Sequence, residues 1–260
     1  MIVFLIFLLG LVVGSFLAAL TYRMPKNVSI LRGRSKCPNC SAKIAWYDNI
    51  PLMSFLFLGG RCRSCKKKIS VRYPLIEAGT AALFVFTFMA SDAIGQNIGW
   101  LTLLPDYLFY LIIFILISIS TSILIIDLEH QIIPDELVFG GLVGVIGLIL
   151  LTGFPRLWEN VLASAASGLF LLALHVFTRG RGMGLGDVKL ALFLGLVLGL
   201  SASVIWIFGS FILGGAVAMA LLLTGKAHLG QRIPFGPFLI SAFLLVTFFG
   251  GTISRSVFPY

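Results

Sequence analysis

Two aspartates stand where apolar sequence gives way. Asp127 follows directly on isoleucine and leucine in ILIIDLEHQIIPDEL, residues 123–137, and Asp187 follows a glycine-rich stretch in RGRGMGLGDVKLALF, residues 179–193. A carboxylate at the edge of hydrocarbon is costly, so each is a functional candidate by default. Alone, either has a plain reading: Asp127 marks the point where a helix reaches water, and Asp187 caps the next helix. Together they suggest chemistry. Two carboxylates held close cannot easily both ionise, and a pair with one proton can activate water and protonate a leaving amine, as peptide hydrolysis requires.

A second set of reactive residues is the four cysteines, which occur as CPNC at 37–40 and CRSC at 62–65 with 21 residues between the pairs. Two CxxC knuckles offer four thiolates, a tetrahedral set for structural Zn²⁺ formed by Cys37, Cys40, Cys62 and Cys65. The competing reading is two disulfides or redox pairs, which a reducing cytoplasm and the lack of a thioredoxin-like pattern disfavour.

The elements that must position these groups lie in a bilayer. With 59% hydrophobic residues, 11% charged and a mean hydropathy of +1.06, the composition excludes a soluble domain. Apolar windows at 1–22, 74–91, 107–126, 134–152, 160–178, 188–200, 203–224 and 237–254 predict an all-α polytopic membrane protein of about eight transmembrane helices. The sixth is short and joins the seventh through Ser201 and Ala202 without a charge. Since Arg23 follows the first window and no basic residue precedes it, that window reads as a retained helix. Residues 23–73 hold 12 of the 19 Lys and Arg, and segments 179–189 and 225–236 hold three and two more, all on one side of an eight-helix chain. That side is expected to be the cytoplasm, with the amino terminus outside it. The zinc loop between the first two helices is therefore expected to be cytoplasmic; its basic residues could favour nucleic acid, anionic lipid or an acidic partner, but topology alone explains them, and membrane lipid is an expected partner of the chain as a whole. Nucleic acid is not expected as a partner, because Trp46, Tyr47, Phe55 and Phe57 are not interleaved with the basic clusters.

In this frame Asp127 ends the third span and Asp187 begins the sixth. They share a depth and could meet between helices. GMGLGDVK resembles the GxGD signature of the intramembrane aspartyl proteases, and IDLEHQIIPD resembles the segment that carries the first catalytic aspartate in bacterial type IV prepilin peptidases. VGSFLAALTYRMP, the paired CxxC loop and VRYPLIEAGTA are similar to the amino-terminal part of the same enzymes.

The resemblance implies an inner-membrane aspartic endopeptidase. Its expected action is to cleave the basic leader from prepilins or type II secretion pseudopilins at the cytoplasmic face, then to methylate the new amino terminus with S-adenosylmethionine. Asp127 and Asp187 become the catalytic pair, with Gly184, Gly186 and Lys189 in the active-site loop; Asp135 is not expected to be catalytic. Residues 1–100, with two transmembrane helices and the four-cysteine zinc loop, are then the methyltransferase part, and 101–260 a six-helix peptidase domain. Glu77 either serves methyl transfer or is a buried partner of Arg72. A metal or proton transporter lined by Asp127, Asp135 and Asp187 is the alternative, against which stands the absence of charge from the centres of the spans. His175 is expected to be a packed helix residue. The pairs Gly10/Gly14, Gly140/Gly144 and Gly195/Gly199 have the spacing of close helix contacts.

Overall fold

The computed structural model describes residues 1–29, 35–155, 157–180, 182–226, 228 and 233–257, the side chains beyond 251 excepted. Arg156, and the parts of the basic segments at 30–34, 181 and 229–232, lie outside them. Its elements are helical: α1 Ile2–Arg23, α2 Met53–Phe57, α3 Arg72–Met89, α4 Ser91–Asn97, α5 Asp106–His130, α6 Asp135–Thr152, α7 Leu157–Phe177, α8 Leu185–Leu198, α9 Leu200–Leu223 and α10 Gly236–Val257. Each of the eight apolar windows is thus a helix. Five of them, α1, α5, α6, α7 and α9, are long and apolar enough to cross a bilayer, or six spans if α3 and α4 count as one broken span. At 14 residues α8 is about 21 Å long, short of a hydrocarbon core of about 30 Å. The chain is a multi-pass membrane protein; its eight apolar windows are eight helices, of which five or six qualify as full-length spans among the described residues.

Contacts divide the chain into two compact units, Met1–Met89 and Ala90–Tyr260. The first is built on α1 against α3. A Cβ at Gly14 would lie 2.7 Å from Glu77 Cα, and one at Gly10 2.5 Å from Ala81 Cα, so only glycine lets the backbones approach this closely. Arg72, in the first turn of α3, donates to Ala18 O at 3.0 Å and Thr21 Oγ1 at 2.8 Å.

In the second unit α8 is the central element. Beyond Lys189 it is apolar on all sides and buried on nearly all of them, from Leu190 through Leu198. Gly195 brings it against α7, where a Cβ would lie 2.9 Å from Ala163 O, and Gly141 of α6 faces the Phe193 ring. The break after α8 falls at Gly199, whose φ of +74° suits a residue without a Cβ, not at Ser201 and Ala202 as the hydropathy suggests. A helix end among apolar neighbours needs partners for its last carbonyls. Asn160 donates to Leu196 O at 2.7 Å and Trp100 Nε1 to Val197 O at 3.0 Å. The pair Gly140/Gly144 is different from the others, since a Cβ at either would meet nothing within 4 Å.

Candidate active site and metal centre

Asp127 and Asp187 are carried by two helix ends of the second unit. The α5 helix runs on to His130 and closes with Gln131 in the left-handed conformation, its N–H on Asp127 O at 2.9 Å. Asp127 therefore sits in the last turn, inside the helix and not beyond it. Asp187 is the third residue of α8, and its Oδ2 accepts the Gly184 N–H at 3.0 Å, so the glycine before the helix is fixed by the carboxylate within it. Both are buried, at 4% and 7% exposure, and their charges lie within range of each other.

What encloses the pair was not readable from the motifs alone. Gly236, first residue of α10, lies directly against Asp127, and any Cβ there would collide with Asp127 Oδ2. That oxygen sits beside the Gly236 backbone yet makes no geometrically sound hydrogen bond among the described residues. An orphaned buried carboxylate oxygen costs free energy, unless a water or substrate atom meets it. Ile133, in the short link between α5 and α6, packs near both glycines: a Cβ at Gly186 would be 3.2 Å from Ile133 Cβ, and one at Gly236 3.4 Å from its Cδ1. Gly236 lies in IPFGP, residues 233–237, a Pro- and Gly-containing stretch that by itself marks only a turn; the fold sets it against Asp127.

Three further residues support the loop. His175 Nδ1 lies 2.7 Å from Met183 O, which ties the glycine-rich turn to the end of α7 and makes this histidine a packed, hydrogen-bonded residue. Lys189 turns to Asp135, with Nζ 2.8 and 2.9 Å from its two oxygens, and so joins the starts of α8 and α6. Glu129 and His130, 3.9 Å apart, are exposed at the end of α5.

The cysteines gather in the first unit. All four Sγ atoms lie within 4.8 Å of one another, and Cys37 and Cys65 are 3.9 Å apart, far from a disulfide and close to the roughly 3.8 Å edge that a tetrahedral centre with Zn–S bonds of about 2.3 Å would have. The two knuckles share one backbone form: Cys37 and Cys62 donate to Ala42 O and Lys67 O at 3.0 and 2.9 Å, while Ser41 and Lys66 turn at φ +56° and +57°. Their electrostatics suit a cation. The Lys67 N–H, then Asn39 and the neighbouring thiols, hold Cys65 down to about 6 against desolvation. Cys40 shows the opposite result: although the Ala42 N–H pulls it down, desolvation and the sulfurs of Cys37, Cys65 and Cys62 push it up to about 11. Four thiolates cannot coexist here without a positive charge among them.

Elsewhere in this unit Glu77 is buried on α3. Its Oε2 accepts the Leu52 N–H at 2.8 Å, and Ser15 of α1 reaches the same carboxylate.

The site and fold define a class: multi-pass helical membrane proteins with a buried carboxylate pair at helix ends and a four-cysteine cluster in a loop that could hold a metal ion. Family comparison narrows that class to one family. Residues 8–91 match the bacterial peptidase A24 N-terminal domain and residues 112–219 the type IV leader peptidase family. The chain belongs to the type IV leader peptidase family. Among its relatives, the prepilin leader peptidase/N-methyltransferase of Aeromonas hydrophila is 33% identical over 96% of this chain and 92% of its own length. Proteins of the same name are 32% identical in Bacillus subtilis strain 168, over 96% of this chain and 95% of theirs, and 33% identical in Neisseria gonorrhoeae, over 92% and 88%. No solved structure matches the chain.

Proposed function

We propose that this protein cleaves the basic leader from type IV prepilins or type II secretion pseudopilins at the cytoplasmic face of the inner membrane, and then methylates the exposed amine. The observation that carries the peptidase reading is the pair itself: two carboxylates of different helices, both buried at helix ends of the second unit, with Asp127 Oδ2 set against the Gly236 backbone. In this reading the charged member of the pair takes a proton from water as its oxygen attacks the scissile carbonyl. The protonated member donates to the amine as the C–N bond breaks. Gly184 holds Asp187 in place through its N–H, Gly186 allows the close approach of Ile133, and Lys189 with Asp135 fixes the relation of two helix starts without touching the chemistry.

Zinc is the ion we assign to Cys37, Cys40, Cys62 and Cys65. Four sulfur donors and no open position make it a structural site that takes no part in either reaction. The methyl donor we assign is S-adenosylmethionine, which supplies a methyl group on a cationic sulfur. Residues 1–100 are in this reading the methyl-transfer part, and Glu77, a buried carboxylate of the α1–α3 pair, is the residue of that part we assign to it. We place the amino terminus outside the cytoplasm, on the 17-to-2 asymmetry of Lys and Arg.

The test is mass spectrometry of a purified prepilin incubated with the reconstituted protein, with and without the methyl donor. The expected products are the trimmed chain without the donor and the trimmed chain plus one methyl group with it. An uncut prepilin in both arms would overturn the reading, and uptake of metal or protons into liposomes would favour a transporter.

A further inference from the structure

The segment between the two cysteine knuckles is neither a flexible tether nor a polar loop. Residues 46–57 form a compact strap: Ser54 Oγ donates to Tyr47 O at 2.8 Å, and Asp48 is held by both arms of Arg63 at 2.6 and 2.8 Å. At its centre Leu52 adopts φ +59° and ψ −48°, and the Met53 N–H reaches back to Pro51 O at 2.6 Å. This is a γ-turn of the rare, strained kind, on a residue with a branched side chain. Its strain is offset by the bond from Leu52 N–H to Glu77.

That bond sets the depth of the strap. Glu77 lies five residues into α3, and its carboxylate is also met by Ser15, eight residues before the Arg23 end of α1. At 1.5 Å per residue, Ser15 is about 12 Å along the helix from Arg23. The turn at Leu52 is thus drawn inward past the levels of Arg23 at the end of α1 and Arg72 at the start of α3. Around it the strap exposes its apolar side chains. Met53, Leu56 and Phe57 form one face of α2, at 47%, 70% and 82% exposure, and Trp46 is 78% exposed. The knuckles on either side expose Lys36, Lys43, Arg61, Lys66 and Lys68.

We propose that the strap is an interfacial anchor, with the Met53, Leu56 and Phe57 face of α2 and Trp46 seated in the leaflet beside α1, and the basic knuckles lying over anionic lipid headgroups. An apolar face beside positive charge, held below the level of the helix ends, matches the chemistry of that boundary, where aromatic rings and Lys or Arg are both favoured. A polypeptide partner is the other possible occupant of such a face. The bond from Leu52 to Glu77 favours lipid, because it holds the central turn of the strap level with the apolar part of α1 and not beyond the helix ends where a soluble partner would dock.

The experiment uses the full zinc-loaded chain in nanodiscs. Phe57→p-benzoylphenylalanine is irradiated beside a control, Leu9→p-benzoylphenylalanine on the exposed side of α1. In parallel, amide exchange of residues 46–57 in the unsubstituted protein is followed in discs of phosphatidylcholine alone and of phosphatidylcholine with phosphatidylglycerol. We expect phospholipid adducts at both positions, and exchange of the strap slowed several-fold by the anionic lipid. Lipid adducts at position 9 but not 57, or adducts at 57 only with a polypeptide in native membranes, would overturn the proposal. Exchange equal in the two discs would overturn its anionic-headgroup part. None of these readouts depends on peptidase or methyl-transfer activity.

Discussion

Asp127 and Asp187 need a titratable oxygen if they move a proton, and an amide of the same shape lacks it. Asp127→Asn and Asp187→Asn are each expected to reduce prepilin cleavage by roughly 10²- to 10⁴-fold while the protein still inserts and binds zinc. Near-normal turnover by either variant would defeat the aspartyl mechanism. Asp135→Asn should cost no more than about 1 kcal/mol, because it removes a solvent-exposed pair with Lys189 and nothing at the reacting atoms. Gly236→Ala is a sharper probe. Its methyl group would press on Asp127 Oδ2, so cleavage should fall with helix content unchanged, whereas Gly140→Ala, open on all sides, should leave cleavage intact. A Gly236→Ala enzyme of full activity would show that the contact has no bearing on the pair. The position of Asp127 and Asp187 at two helix ends was legible from the sequence because each stands where an apolar run meets a polar one. Gly236 was not, since a glycine in a turn has many uses, and only the packing of α10 on α5 selects one.

Among the elements, apolar runs located all eight long helices but misplaced their ends. Hydropathy stopped the third window at 126, yet α5 extends to His130, because polar residues continue a helix once Gln131 can close it; the sixth began at 188, although Gly184 and Asp187 start α8 one turn earlier. The short break at Gly199 was legible only as an uncertain join, since its carbonyls are satisfied by Asn160 and Trp100 from elsewhere in the chain. The CxxC spacing, by contrast, carried the four-cysteine cluster almost completely, since each knuckle is local. Replacing any one of Cys37, Cys40, Cys62 or Cys65 with Ser should release the metal and loosen residues 37–65, with cleavage retained in part. Metal analysis of the unsubstituted protein without zinc would refute the assignment. In the α1–α3 pair, Gly14→Val should force the backbones apart at Glu77 and lower the amount of folded protein recovered from membranes. Recovery equal to that of the unsubstituted chain would mean that the pair tolerates a wider spacing.

Across the whole molecule the two activities have an order, because the amine to be methylated does not exist until the leader is removed. Cleavage should therefore proceed without the methyl donor. An Asp187→Asn protein should methylate a prepilin supplied already trimmed, and should give no methylated product from the uncut chain; methylated product from uncut prepilin would contradict this sequence of events. Glu77→Gln is expected to separate the activities in the other direction, with cleavage kept and methylation reduced, as followed by the mass of the product. The contact between Gly236 and Asp127 also has a temporal meaning. Asp127 precedes Gly236 by 109 positions and Asp187 by 49, so a ribosome delivers both aspartates to the membrane well before the residue that walls them in. Until translation reaches the last helix, the carboxylate of Asp127 is bare on that side, and the nascent protein holds both of its acids without the surface that closes around one of them. Gly236 therefore completes the surroundings of Asp127 only once α10 has packed against α5.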